Sequence, residues 1–550
     1  MSRLAVWLGL LCMMVCGLNA QYNDADHVSA CVHYGICDMS RIAQGSIFDA
    51  YGQTEGTPPG PAASAFPLRT SLVGVSVQVT AGDRTLDALI LEVKPALVSY
   101  PGTSGSFRVR AVLPSGTPLG VAHVAVLYKG AALNMSNDRK MLVVAHDLGL
   151  YSAGDGTYTA QNVSSSGSVR LNSFANAATP GQLVVLWGTG LGPVYADEAV
   201  GPAPGDLGIQ GLQVLVANRP AHVVYAGRSG CCAGVDQIIF EVPAGVQGCA
   251  VPVVVHFPDD GSQSNGTSVS IAAQPGACRT GLSADLTQKY LAGTLISGVL
   301  RGSIYDGNSQ SLDASFTVGI LPWELPSPTM PYGSCYGTAG LAGANDSVTV
   351  LGPGNRPLDA GRGIVLHTPE GMVVLKPYGS SSAPASQFIP LHYAGDTPTG
   401  HLIAGDYALD NGDGGPDVQS FQSIFSLPDL SFVWTNKDSL STVAASQDLT
   451  ITWKAGSPDG FIYFGGGYAR PPGLAPEDDL ESSFVCVESA DKGTFTIPGS
   501  VLWRAKGSSV PEIVLQLSVS NTVVRPFMAP TLDHGNFRWT TGFTKQFKVQ

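Results

Sequence analysis

Between Pro180 and Phe257 the apolar positions fall into short runs punctuated by glycine and proline: "PGQLVVLWGTGLGPV", "GLQVLVANRPAHVVYAG" and "VDQIIFEVPAGVQGCAVPVVVHF". Within each run the apolar residues alternate or are near-continuous and β-branched, the period of a strand rather than of a helix. A poorer version of the same order precedes it. "IAQGSIFDAYGQTEGTPPGP" parallels the first run, "LVGVSVQVTAGDRTLDALILEV" the second and "FRVRAVLPSGTPLGVAHVAVLYKG" the third. In both versions a strand ends at proline, turns through glycine and returns as a long β-branched run. A repeat of roughly a hundred residues predicts tandem domains, not a short-period solenoid. Each copy carries about seven strand-like runs, enough for one immunoglobulin-like sandwich.

Beyond Leu282 the strands continue in a different arrangement. "LISGVLRGSIYDGNSQSLDASFTVGIL", "SVTVLGPG", "GIVLHTPEGMVVLKP" and "HLIAGDYALDNGDGGPDVQSFQSIFSLP" read as strands and hairpins, with "LPSPTMPYGSCYGTAG" as a loop. A last unit opens at "LSFVWTN" and runs through "LTITWKAGSPDGFIYFGGG", "SFVCVESADKGTFTIPGSVLW" and "EIVLQLSVSNTVVRPF". Trp434 and Trp453, on successive predicted strands, are expected in its core. Only "LTQKYLAG" near Leu286 has a helical pattern, of one or two turns. The expected fold class is therefore all-β, a series of tandem immunoglobulin-like β-sandwich domains with very little helix. The expected divisions are 1–20, 21–40 (an irregular leader), 41–148, 149–278, 279–428 and 429–550.

Composition narrows the function classes. With 44% apolar residues in 550, each unit can bury a core, while only 13% are charged, against ~25% in an average protein. Net charge is −13 and basic residues form no run. That disfavours a nucleic-acid groove or polyanion site. Arg3 followed by the apolar stretch Leu4 to Leu18 reads as a secretory signal, with cleavage after Ala20 leaving Gln21 first. No later stretch reaches the ~18 apolar residues of a membrane-spanning helix. The expected location is secreted or cell-surface.

An exported chain with an even cysteine count points to disulfides. Eight cysteines follow the signal: Cys31, Cys37, Cys231, Cys232, Cys249, Cys278, Cys335 and Cys486. Cys31 and Cys37 enclose a short loop and are candidates to pair. Cys249 and Cys278 flank a strand and its exit. A bond between the adjacent Cys231 and Cys232 would be strained, so at least one is expected to pair elsewhere. The connectivity stays open at this level.

No catalytic constellation stands out. "WGTGLG" has glycines at Gly188, Gly190 and Gly192, but Pro193 follows and no helix is there to hold a pyrophosphate, so it reads as a turn. Asp410, Asn411, Asp413 and Asp417 crowd oxygens on one loop, as calcium requires, yet no closing Glu follows and Pro416 interrupts it. A hairpin turn explains the same residues. Glu477, Asp478, Asp479 and Glu481 read as a solvated loop. His123, His222 and His256 are scattered on strands and hairpins, and no nucleophile motif accompanies them. Aromatics that could stack on sugar rings are Tyr463, Phe464 and Tyr468 around "GGG", and Tyr332 and Tyr336 beside Cys335; alternation into a core accounts for them as well. Sequons lie at Asn134, Asn162, Asn265 and Asn345.

The stretches "LWGTGLGPV", "YAGRSGCCAGVDQIIFEVPAGVQGCAVPVVVHF" and "GTSVSIAA" resemble a C-terminal β-sandwich module of exported proteins from Solibacter and other acidobacteria. The resemblance is strong over residues 149 to 278 and weaker over 41 to 148, where the "GTGLGP" turn and the cysteines are missing. The segments after Leu282 also resemble the C-terminal halves of exported acidobacterial proteins. The resemblance implies a β-sandwich and export, and no activity. The expectation is thus an exported, non-catalytic scaffold or adhesion protein without a cofactor, binding extracellular polysaccharide or a cell-surface protein through its loops. The alternative is a secreted polysaccharide hydrolase with accessory sandwiches, its two carboxylates ~5–9 Å apart within 279–550.

Overall fold

The computed structural model describes residues 40–54, 57–95, 105–133, 139–151, 160–259, 262–309, 311–320, 324–339, 356–378, 392–396, 402–444, 447–469, 482–504 and 514–549. These residues form an all-β molecule of several sheets. The stretches expected to be a signal and a leader, with Cys31 and Cys37, lie outside the described residues.

Alternation builds the first unit. In the strand Val75–Ala81 every second residue (Val75, Val77, Val79, Ala81) is buried and the intervening ones are half-exposed, the period of a sheet with one face on a core. This strand pairs with Gly120–Tyr128, which pairs with Arg139–Val144, and Ser40–Ala43 adds a parallel edge. Opposite lies a second sheet in which Ser106–Val112 is flanked by Ile47–Gln53 and Leu89–Pro95. Phe48, Val77, Phe107, Val109, Val124 and Val126 fill the space between them.

Residues 160–271 repeat this pairing order. Leu183–Thr189 lies against Asp236–Glu241, as Ile47–Gln53 does against Ser106–Val112. Gln213–Val216 lies against Gly248–His256, as Val75–Ala81 does against Gly120–Tyr128. Even the parallel edge recurs, as a single bridge from Ala178 to Ile271. One difference stands out. The first copy breaks at Ala88 between Arg84–Asp87 and Leu89–Pro95. The second runs through as one strand, Arg219–Arg228, that pairs with Gln213–Val216 by its first half and with Asp236–Glu241 by its second. A register shift between Val223 and Tyr225 bends it from one face of the core to the other. Ala217 and Asn218, at φ 48° and 62°, make the two-residue turn entering it, the left-handed pair that matches hairpin twist.

A short helix, Ala284–Leu291, follows; the Ser283 hydroxyl caps it by accepting from the Leu286 N–H. The chain then enters a fifteen-stranded sheet. A twisted sheet of that width curls rather than staying flat, and this one closes over two cores. One core holds Leu300, Phe316, Leu366, Tyr407, Phe425, Phe537 and Trp539. The other, completed by the small sheet Phe432–Trp434, Leu449–Ala455 and Thr494–Ile497, holds Trp434, Trp453, Phe464, Phe484, Leu517 and Phe547. The two longest strands, Val514–Phe527 and His534–Val549, pair along their length and serve both: Phe527 and Phe537 point to the first core, Leu515 and Phe547 to the second. Among the described residues no helix is long and apolar enough to cross a membrane.

Candidate functional site

The glycine turn after Trp187 joins the two sandwiches. Gly190 (φ 107°) sits where a Cβ would collide with the Asp147 carbonyl, and a Cβ on Gly188 would meet the Gly149 carbonyl. With no side chains in the way, the connecting segment lies flat on the turn: Gly149 and Leu150 pair with Thr189 and Gly188, and the Asp147 N–H donates to the Gly190 carbonyl at 3.0 Å. The turn is a seat for backbone, not a phosphate cradle.

Beneath it Arg228, fully buried, pairs with Asp236 and lies 3.0 Å from the Glu198 carboxylate, in ion-pair range though not aligned for a hydrogen bond. Its Nη2 donates to the Gly192 carbonyl (3.2 Å) and to that of Gly45 in the first sandwich (2.9 Å). The Leu191 N–H donates to Asp236 Oδ2 at 2.7 Å. Thr189 completes the junction, accepting from the Ile47 N–H and donating to the Gly234 carbonyl. Burial raises the Asp236 carboxyl to about 6 against the opposing pull of Arg228, and burial likewise raises Glu198. One guanidinium between two buried carboxylates, sealed from solvent, is a clamp between units. Sequence reasoning passed over it, although a charged residue inside an apolar motif of a chain so poor in charge is itself a signal.

Two further carboxylate pairs are drawn together the same way. Arg108 bridges Asp49 and Glu92 in the first sandwich, and Arg301 bridges Asp313 and Glu324 in the C-terminal half. A guanidinium standing between two carboxylates occupies the gap that a glycosidase keeps for water or for its sugar.

Cys249 bonds Cys278 and Cys335 bonds Cys486, the latter directly across a strand pair. Cys231 and Cys232 are half-buried thiols, with Cys232 hydrogen-bonded to the Cys231 sulfur. The pairing elsewhere expected of one of them is not what is found. Both belong to an apolar cluster with Ile47, Val112, Trp187 and Val235 at the junction of the two sandwiches.

The oxygen-rich loop uses its groups internally. The Asn411 amide donates to the carbonyls of Ala360, Val418 and Gln419, and its Oδ1 accepts from the Phe421 N–H. Asp410 accepts from the Gly412 N–H and lies 2.8 Å from His367; Asp417 accepts from the Asp359 N–H. It is a hairpin turn, and no group of three or more His, Cys, Asp or Glu that could hold a metal occurs among the described residues. The acidic run at Glu477, Asp478, Asp479 and Glu481 lies outside them. His123 and His222 are exposed, the latter 3.7 Å from Glu241, and His256 is half-buried. Asn162 and Asn265 are buried and internally hydrogen-bonded, which removes both as accessible sequons, while Asn134 and Asn345 are not described.

The aromatics separate. Phe464 belongs to a core, 5.0 Å from Phe495 and 5.6 Å from Trp453. Tyr463, one residue earlier, points to the opposite face of the strand and stays half-exposed. Tyr332 (51% exposed) lies within electrostatic range of it: burial raises both phenols, Tyr332 adding to the effect on Tyr463, and Glu488 and Asp491 to that on Tyr332. Phe461 packs edge-on to Tyr463 at 5.3 Å, and the Arg538 guanidinium lies 5.8 Å from the Phe461 ring, held by the Leu325 carbonyl. Two residues along from Tyr463, on its own face, is Gly465, paired with Val485, which is 39% exposed. A Cβ at Gly465 would stand in open space. Tyr463, Gly465 and Val485 thus share one face of the sheet with open space over the glycine, and Tyr332 stands near Tyr463 at the end of this strip. The side chains of Tyr336 and Tyr468 are outside the described residues.

No family model matches the chain, and no curated protein does.

Proposed function

We propose that this is an exported, non-catalytic β-sandwich protein that binds extracellular polysaccharide along the Tyr332–Tyr463–Gly465 strip. On this reading the tandem units are immunoglobulin-like, their resemblance to the acidobacterial module marks an extracytoplasmic scaffold, and the two disulfides suit that compartment. The carrying observation is the strip itself: two tyrosines beside a strand glycine with open space above it. Aromatic faces offer large contact area at low entropic cost, and a glycine floor lets a flat ring approach the backbone. The arginine bridge in each of the three carboxylate pairs favours binding over hydrolysis.

The test takes purified residues 21 to 550 against a panel of insoluble polysaccharides, scoring retention and released sugars together. Retention without release is expected, and Tyr463→Ala should abolish it in a chain that still unfolds cooperatively, its melting temperature lowered by the lost packing on Phe461. Released sugars would replace this reading with the hydrolase.

A further inference from the structure

The loop from Ser229 to Val235 carries chemistry that neither the clamp nor the glycan strip uses. It is closed by the Ser229 N–H donating to the Val235 carbonyl at 2.9 Å. At its tip stand two adjacent thiols. The other four cysteines of the described residues are buried in disulfides, whereas Cys231 and Cys232 are within reach of solvent. Their surroundings are arranged for reaction at one sulfur. The Ser229 hydroxyl lies 3.3 Å from Cys231 Sγ and the Cys232 thiol is hydrogen-bonded to it. That hydrogen bond, ahead of the opposing effect of burial, lowers the Cys231 thiol from its ordinary value.

We propose that Cys231 and Cys232 form a reversible vicinal thiol–disulfide site whose oxidising partner is a low-molecular-weight disulfide. The Cys231 thiolate attacks one sulfur of the small disulfide, forming a mixed disulfide and releasing one equivalent of thiol. Cys232, losing its proton, attacks Cys231 Sγ and releases the second. The protein loses two electrons and two protons, and the small disulfide becomes two thiols. Neighbouring Cα atoms are ~3.8 Å apart across a trans peptide and ~2.9 Å across a cis one, both below the usual disulfide span of ~4.4–6.8 Å. The closed ring is therefore strained and easily reduced, the property of a switch rather than of a staple.

The site lies where closure would be felt. Gly234, two residues on, donates its N–H to Glu198 and accepts from Thr189 through its carbonyl. A Cβ there would come 2.7 Å from Ile47 of the first sandwich. Reshaping the loop moves the contact between the two units.

The purified chain is incubated with oxidised glutathione, quenched in acid, alkylated and analysed by peptide mass. The expected product is a Cys231–Cys232 peptide two hydrogens lighter, with alkylation lost at both sulfurs, no glutathione adduct, and reversal by mild reductant that leaves Cys249–Cys278 intact. Cys232→Ser should trap glutathione on Cys231, while Cys231→Ser should take up none. Unchanged alkylation of both thiols, a persistent adduct on the wild-type protein, or a bond from either cysteine to a third would each overturn the proposal. The wild-type result stands even where a serine variant folds poorly.

Discussion

Gly190 is where a single residue has the least freedom. Its φ of 107° is a conformation that side chains disfavour, and its missing Cβ makes room for the Asp147 carbonyl. Both constraints act on any substitution. Gly190→Ala is expected to lower unfolding stability by at least about 2 kcal/mol, combining backbone strain and a steric clash. Gly201, with nothing near its Cβ position, is the control: Gly201→Ala should stay within about 0.5 kcal/mol. Urea titration of both variants checks the difference. The sequence already marked Gly190 as a turn residue, because proline follows three positions later and no helical period does. It did not show what the turn receives, since Asp147 lies 43 positions earlier (190 minus 147) in the link to the first sandwich. Asn411 repeats the lesson. Its neighbours suggest an ion loop, but its amide is spent on three carbonyls.

At the scale of the strand, Phe461–Ala469 shows how alternation divides function from stability. Phe464 goes to the core and Tyr463 to the opposite face, as a two-residue period requires. Gly465 and Gly467 then follow Tyr463 on its side. Glycine is unfavourable in a strand by roughly 0.5–1 kcal/mol relative to alanine, so a strand that keeps Gly465 under open space gives up stability for access. Gly465→Val should leave stability unchanged or raise it, while filling the floor and removing polysaccharide retention. Thermal melting and pull-down on one preparation check both halves; retained binding would rule out this floor as the contact surface. Tyr463 and Tyr332 were both visible in the sequence as candidates. Their proximity was not, because they come from segments 131 positions apart (463 minus 332).

Across the whole molecule, the Arg228 cluster couples the first two sandwiches and makes their stability depend on pH. Asp236 is raised from its ordinary value to about 6 and Glu198 is raised in the same direction, so between pH ~4 and ~6 the folded state holds more protons than the unfolded chain. The favourable contribution is complete below the ordinary carboxylate range and is lost as pH rises through about 6. Asp306, Asp459 and Asp533, held low by their hydrogen bonds and cationic partners against the effect of burial, act oppositely: their contribution is present above the ordinary range and lost on acidification. Denaturation midpoints at about pH 5 and about pH 7.5 should therefore fall for the wild-type protein more than for Asp236→Asn. Equal slopes would mean that Asp236 is not protonated in the folded protein. Strand identity, the repeated order of strand runs and the scarcity of helix could be read along the chain, because they rest on local periodicity and on turn residues a few positions apart. The clamp, the two disulfide partnerships, the thiols left side by side and the tyrosine strip could not. Each depends on which distant strands become neighbours, and that is settled by burying apolar faces across the entire fold.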